Sequence, residues 1–212
     1  MDITLSIVGT AFRKEEKDKC SKQIYEAMCF ISKTVIDQCN KFNYPITTLV
    51  SGGAAGADHV AVTLYLNNVI PNLKLYLPCE YVNGEYIDNG IENSNKNPGG
   101  IANHYHRNFQ KCTGINSLSD IQAAISRGAQ TIPIKGGFFA RNVMVAKSDF
   151  ILAMTFGNGN EVKPGGTSHT IECYLNRVKT EGIFDKSFHY DLNSGKLFFG
   201  CRLPKYSTNK NN

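Results

Sequence analysis

Residues 47–62, TTLVSGGAAGADHVAV, decide the fold of this chain. The first four residues are β-branched or apolar, as in a buried strand, and they run directly into a turn that contains three glycines. After the turn, apolar residues recur at i, i+3, i+4 and i+7, namely Ala57, Val60, Ala61 and Leu64. This spacing is typical of one face of an α-helix. The stretch therefore predicts a strand, a glycine turn and a helix, the repeating unit of a parallel α/β sheet.

The same alternation continues on both sides of this unit. Residues 3–8 form a β-branched run that ends at Gly9-Thr10, and an amphipathic helix follows it up to about Asn43. Further strands are predicted at residues 73–77, 131–134, 149–156, 188–192 and 197–199, and further helices at residues 117–127, 140–147 and 171–178. We therefore expect an α/β fold, a Rossmann-like three-layer sandwich with a mostly parallel sheet.

The length of 212 residues fits one domain, which we place at residues 1–205. The polar residues 206–212 are expected to be a disordered tail. Between Glu80 and Asn116 the periodicity gives way to Asn, Gly and other polar residues, over a length that exceeds an ordinary connection in a compact domain. We interpret residues 80–116 as an ordered, lid-like insertion.

Composition and charge argue against several classes of protein. The chain has 23 basic and 18 acidic residues, and its basic residues alternate with acidic ones, so a dedicated nucleic-acid surface is not expected. No apolar run approaches the roughly 20 residues of a membrane span, and the first residues do not resemble an export signal. The seven cysteines include no closely spaced pair, so we expect reduced thiols in the cytoplasm, no metal site and no cofactor. Whether the chain forms a homo-oligomer stays open.

Three glycine turns follow predicted parallel strands: Gly9-Thr10, residues 51–58 and residues 165–167. In an open parallel sheet such turns lie together at the carboxyl edge, where ligands bind. Glycine lets the backbone approach a phosphate, and the free amides of a following helix attract an anion. The turns match neither the dinucleotide fingerprint nor the P-loop. We therefore predict a nucleotide or phosphate site with the candidate residues Gly9, Thr10, Arg13, Ser51, Gly52, Gly53, Gly56, Asp58, Asn142, Gly165, Gly166, Thr167 and Ser168.

Three segments carry a family resemblance: VSGGAAGADHVA at residues 50–61, ARNVMVAKSDFILA at residues 140–153 and PGGT at residues 164–167. In their order and spacing they resemble the SLOG superfamily, and within it the small proteins with a Gly-Gly-Ala-x-Gly-Ala-Asp turn and an Arg-Asn pair. The resemblance covers about residues 3–180. It implies a Rossmann-like fold and the binding of a nucleotide or a nucleotide-derived ligand.

The Lonely Guy phosphoribohydrolases of this superfamily use an arginine ahead of a strand and a glutamate in a Pro-Gly-Gly-x-Gly-Thr-x-x-Glu motif. The resemblance implies catalytic roles for Arg141 and Glu172 in hydrolysing the N-glycosidic bond of a nucleoside monophosphate. Ser168 and His169 stand where that motif has its second Gly-Thr. If Gly166-Thr167 is aligned with that Gly-Thr instead, Thr170 takes the position of the acid.

Without the family resemblance, each of these residues allows more than one role. Arg141 can grip a phosphate through its guanidinium or form a surface salt bridge, and Asp58 can bind a ribose hydroxyl or begin a helix. Glu172 shares a predicted helix face with Ser168, which predicts that it faces the crevice; a solvated acid is the alternative. In the insertion, Tyr105 and Arg107 are candidate ligand contacts.

Three functions are compatible with these observations. The first is a nucleotide-binding hydrolase that cleaves an N-glycosidic bond, and the second is a sensor that binds a nucleotide without cleaving it. The third is single-stranded DNA binding, as in the DprA proteins of the same superfamily, which the mild net charge of +5 disfavours. The expected partner is thus a nucleotide-derived small molecule, with neither a membrane nor a nucleic acid.

Overall fold

The computed structural model describes residues 2–91 and 96–204. Its strands are β1 (Ile3–Gly9), β2 (Ile46–Ser51), β3 (Asn72–Leu77), β4 (Tyr81–Val82), β5 (Glu85–Tyr86), β6 (Gln130–Pro133), β7 (Phe150–Thr155), β8 (Ser187–Asp191) and β9 (Lys196–Phe199). Seven of them form one sheet in the order β6-β3-β2-β1-β7-β8-β9. Neighbouring strands in this sheet are parallel, except for the antiparallel pair of β8 and β9.

The helices are α1 (Lys22–Lys41), α2 (His59–Leu66), α3 (Pro98–Thr113), α4 (Ser117–Ser126), α5 (Gly137–Val145) and α6 (Gly166–Glu181). Two short 3₁₀ turns, Lys14–Lys19 and Gly56–Asp58, follow β1 and β2. None of the helices in the described ranges combines the length and the apolar character that a membrane span requires.

Two hydrophobic layers cover the sheet, because alternate residues of each strand point to opposite faces. In β7, Leu152 and Met154 belong to the layer that includes residues of α1 to α4, whereas Ile151 and Ala153 pack with residues of α5 and α6. The prediction of an α/β, Rossmann-like three-layer sandwich with a mostly parallel sheet is confirmed.

The insertion is more regular than its composition indicates. It contains the β4–β5 hairpin and the 16-residue helix α3, where the sequence predicted no helix. The Asn97 side chain caps α3 by accepting a hydrogen bond from the Gly100 amide. Asn103 and His106 are buried on α3 beside Phe109, and such polar residues conceal a helical core face from an analysis of hydrophobic periodicity. Residues 92–95 of the insertion and the predicted tail at 206–212 lie outside the described residues.

Gly9, the last residue of β1, lies against three other segments of the chain. A Cβ atom at this position would lie 2.1 Å from the Met154 carbonyl oxygen and 2.7 Å from the Ala57 Cβ. The carbonyl oxygen of Gly9 accepts a hydrogen bond from the Thr167 hydroxyl, at 3.0 Å. The ends of β1 and β7, the second glycine turn and the start of α6 are therefore in direct contact.

We expect the Gly9→Ala substitution to destabilise the protein by about 3 kcal/mol, because the added methyl group overlaps backbone atoms that cannot move independently of the sheet. Gly114 is the matched control: its φ of 77° disfavours alanine, but no atom lies within 4 Å of the position that a Cβ would take. Gly114→Ala should cost only about 1–2 kcal/mol. Urea unfolding measures both values, and equal costs would show that the contact at Gly9 is not tight.

Candidate functional site

A cavity of about 330 Å³ lies at the carboxyl edge of the sheet, between the ends of β1 and β7, the helix α5 and the start of α6. Its lining takes residues from all three glycine turns and from α5. The predicted site residues that line it are Gly9, Thr10, Arg13, Asp58, Arg141, Asn142, Gly165, Gly166 and Thr167. The fold thus brings residues that are far apart in the sequence into one hollow.

Other predicted residues surround this cavity. Gly52, Gly53 and Tyr105 line a narrow adjoining cleft between the second glycine turn and α3. Ser51 and Gly56 are buried, and the Ser51 hydroxyl accepts a hydrogen bond from the Gly53 amide at 3.0 Å. These residues shape the turn that forms one wall of the cavity.

The structure does not bring Glu172 or Arg107 to the cavity. Glu172 is exposed on α6, although Ser168, one turn earlier, is buried, so the two side chains do not face the crevice together. Arg107 is exposed on α3 and forms an ion pair with Glu85, at 2.6 Å. Glu172 therefore makes no contact in this cavity that would support the catalytic role predicted for it.

Arg141 is buried on α5 and bridges to the second glycine turn. Its Nη1 donates a hydrogen bond to the Gly52 carbonyl oxygen and lies 3.4 Å from Asp58 Oδ2. Burial raises the pKa of Asp58 and lowers the pKa of Arg141, while the charge of each partner opposes the shift of the other. The pair is removed from water, so its geometry depends on both partners remaining in place.

The guanidinium of Arg141 retains donors for a ligand. Both hydrogen bonds that it donates within the described part of the chain come from Nη1. Its Nε is buried and has no partner there. Because a buried donor without a partner is costly, an anion bound beside Arg141 would complete its hydrogen bonding.

Gly166 and Thr167, in the first turn of α6, line the same cavity. Within the described residues, the amides of Gly166, Thr167 and Ser168 donate no hydrogen bond, as is typical of the first turn of a helix. The turn is fixed from outside by Asn142, whose Nδ2 donates to the Gly166 carbonyl oxygen at 3.1 Å. Free amides and the positive end of a 16-residue helix favour a negative charge at this position.

Glu16 and Lys163 also line the cavity, and neither was predicted from the sequence. Glu16 is buried; it accepts a hydrogen bond from the Thr10 hydroxyl and pairs with Lys163 Nζ at 2.8 Å. Lys163 also pairs with the exposed Glu15, at 2.6 Å. Although burial alone would lower the pKa of Lys163, the two glutamates raise it, so the ammonium group stays charged.

The sequence signal for Glu16 was misleading. The charged run Lys14–Lys19 is typical of a solvated helix face, and most of it is exposed. Phe12 and Lys14, however, adopt left-handed backbone conformations, with φ of 52° and 50°. These two residues redirect the chain after β1, and Glu16 is the buried residue of the 3₁₀ turn.

The insertion also supports the second glycine turn. The Gly53 carbonyl oxygen accepts hydrogen bonds from the Tyr86 hydroxyl and from His106 Nε2, the latter at 3.0 Å. Since His106 Nε2 is a donor here, Nδ1 accepts from the Ser117 hydroxyl, at 2.8 Å. Burial lowers the pKa of His106 to about 3, so the imidazole is neutral at physiological pH.

No protein-family model matches the chain. The chain is similar to the uncharacterized protein R261 of Acanthamoeba polyphaga mimivirus, with 34% identity over 170 residues. The match covers 79% of this chain and 88% of the relative.

The neutral His106 predicts a loss of stability in acid. Its folded pKa of about 3 lies below the unfolded value of 6.5, so the unfolded state binds the proton first and stability falls as the pH falls below 6.5. Between pH 7 and pH 5 this residue should account for a loss of about 2 kcal/mol. In His106→Gln that share of the loss should disappear, as measured by urea unfolding at both pH values. His104→Gln, on the exposed side of α3, is the control, and an unchanged pH dependence in His106→Gln would contradict the account.

Proposed function

The chain belongs to the same family as protein R261 of the mimivirus, and we propose that it binds a nucleotide, or a phosphate ligand derived from one, in the cavity at the carboxyl edge of its sheet. The observation that carries this proposal is the meeting of two independent sets of unused donors. The amides of the first turn of α6 and the guanidinium of Arg141 line one hollow, and within the described residues both retain N–H groups without partners.

A phosphate fits these donors better than a neutral group. Backbone amides at a helix N-terminus and a planar guanidinium are the two kinds of donor that proteins use most readily for phosphate oxygens. Arg13 adds a further cationic side chain to the lining. The positive charge of these groups favours an anion, and their hydrogen bonds would hold that anion in one position.

A nucleotide is supported by the size of the cavity and by the resemblance to the SLOG superfamily. The volume of about 330 Å³ lies at the lower end of small-molecule sites, which run from about 300 to 1,000 Å³. We propose that the protein binds the ligand without cleaving its N-glycosidic bond, as a sensor does, because Glu172 does not line the cavity.

Gly166→Pro tests the phosphate site with little disturbance of the fold. Gly166 is the first residue of α6, a position that tolerates proline, and the substitution removes one of the free amides. We expect the affinity for nucleoside 5′-monophosphates to fall roughly ten- to a hundredfold, the value of a hydrogen bond to a charged group. Isothermal titration calorimetry with the adenosine, guanosine, cytidine and uridine monophosphates measures it.

Lys22→Pro is the matched control, because Lys22 is the exposed first residue of α1 and does not line the cavity. It should bind as the unaltered protein does. The corresponding nucleosides, which lack the phosphate, should bind at least about tenfold more weakly than the monophosphates. Equal binding of nucleosides and monophosphates, or unchanged binding by folded Gly166→Pro, would refute the proposal.

A further inference from the structure

We propose that Glu16 accepts hydrogen bonds from hydroxyl groups of the bound ligand, so that the cavity selects a sugar phosphate with free hydroxyls over other phosphate monoesters. This inference rests on the proposed function, since it concerns the second half of the same ligand. It assigns a specificity-determining role to a residue on the 3₁₀ turn that follows β1.

Glu16 has acceptor capacity to spare. Its carboxylate is about nine-tenths buried at the cavity, where Oε2 accepts from the Thr10 hydroxyl and Oε1 pairs with Lys163. Each carboxylate oxygen can accept two hydrogen bonds, so one position on each oxygen remains. A buried carboxylate gains free energy from additional donors, because burial has removed its water.

The other acidic residues of the lining are less suited to this role. Asp58 is committed to the buried pair with Arg141, and the Glu15 side chain is exposed and directed at Lys163. Glu16 is the acidic residue of the described lining that combines burial at the cavity with free acceptor positions.

Charge determines what kind of ligand suits the cavity. Glu16 would repel a bare oxyanion, whereas the α6 amides and Arg141 attract one. The hollow thus has a donor side and an acceptor side. A ligand that satisfies both must carry an anionic group together with hydrogen-bond donors, and a sugar phosphate has this combination.

Hydrogen bonds of two neighbouring residues, Gly9 and Thr10, connect the donor side of the cavity to the acceptor side. Thr10 donates to Glu16, and the neighbouring Gly9 accepts from Thr167 in the first turn of α6. The Glu16 carboxylate and the proposed phosphate site are therefore joined through two consecutive residues.

A pair of matched ligands tests the inference without reference to the base. Methyl ribofuranoside 5-phosphate and its 2,3-dideoxy analogue share the ring and the phosphate and differ in the two hydroxyls. We expect the unaltered protein to bind the hydroxylated compound at least roughly tenfold more tightly, as measured by calorimetry. In Glu16→Gln, which loses the charge and one of the two acceptor oxygens, this preference should fall severalfold, while the dideoxy compound binds no more weakly than before.

Glu15→Gln is the matched control, because it also removes a partner of Lys163 but changes an exposed side chain. It should keep the preference for the hydroxylated ligand. If the unaltered protein binds both compounds equally, the inference is wrong and the proposed function stands. If it binds neither compound, the inference is wrong, and the titration with nucleoside monophosphates decides the proposed function separately. The comparison in the unaltered protein decides the matter even if Glu16→Gln does not fold, and an unchanged preference in folded Glu16→Gln would also overturn the inference.

Discussion

The buried charge of Arg141 constrains the site more than any other group. A guanidinium that has lost its water must be compensated, and here Asp58 and the Gly52 carbonyl oxygen do so. The approach requires glycine at position 52, since a Cβ there would lie 1.9 Å from Arg141 Nη1. Removing one partner of such a pair typically costs about 3–5 kcal/mol, because the other charge stays buried. The second glycine turn and α5 thus act as one unit.

The insertion stabilises this unit through contacts with the second glycine turn. Tyr86 and His106 hold the Gly53 carbonyl oxygen, one residue beyond the carbonyl that Arg141 holds. Both consecutive carbonyls are therefore fixed by side chains from other segments. The Arg13 guanidinium lies 4.5 Å from the centre of the Tyr105 ring, so the insertion also contacts the first turn. The walls of the cavity are preorganised, which lowers the entropic cost of binding a ligand.

The sequence was sufficient to predict the sheet and the convergence of its turns, but not the position of several side chains. Strands such as β7 are apolar except for a terminal threonine and are followed by glycine turns, so local patterns predict them and topology places their ends together. The helix α3 was missed because its buried face contains Asn103 and His106, whose partners come from distant segments. Glu16 was missed for the same reason, since its partner Lys163 lies in the second half of the chain. The outward direction of Glu172 depends on the packing of α6, which periodicity alone does not fix.

In the proposed function, the first turn of α6 and Arg141 together hold the phosphate of a nucleotide. NMR titration of ¹⁵N-labelled protein with each of the four nucleoside monophosphates in turn locates the bound phosphate. With at least one of them, the amide signals of Gly166, Thr167 and Ser168 and the Nε signal of Arg141 should shift along one binding curve, while that of Gly114 stays constant. If these signals remain unmoved in all four titrations, or if shifts are confined to other regions, the phosphate is not held there.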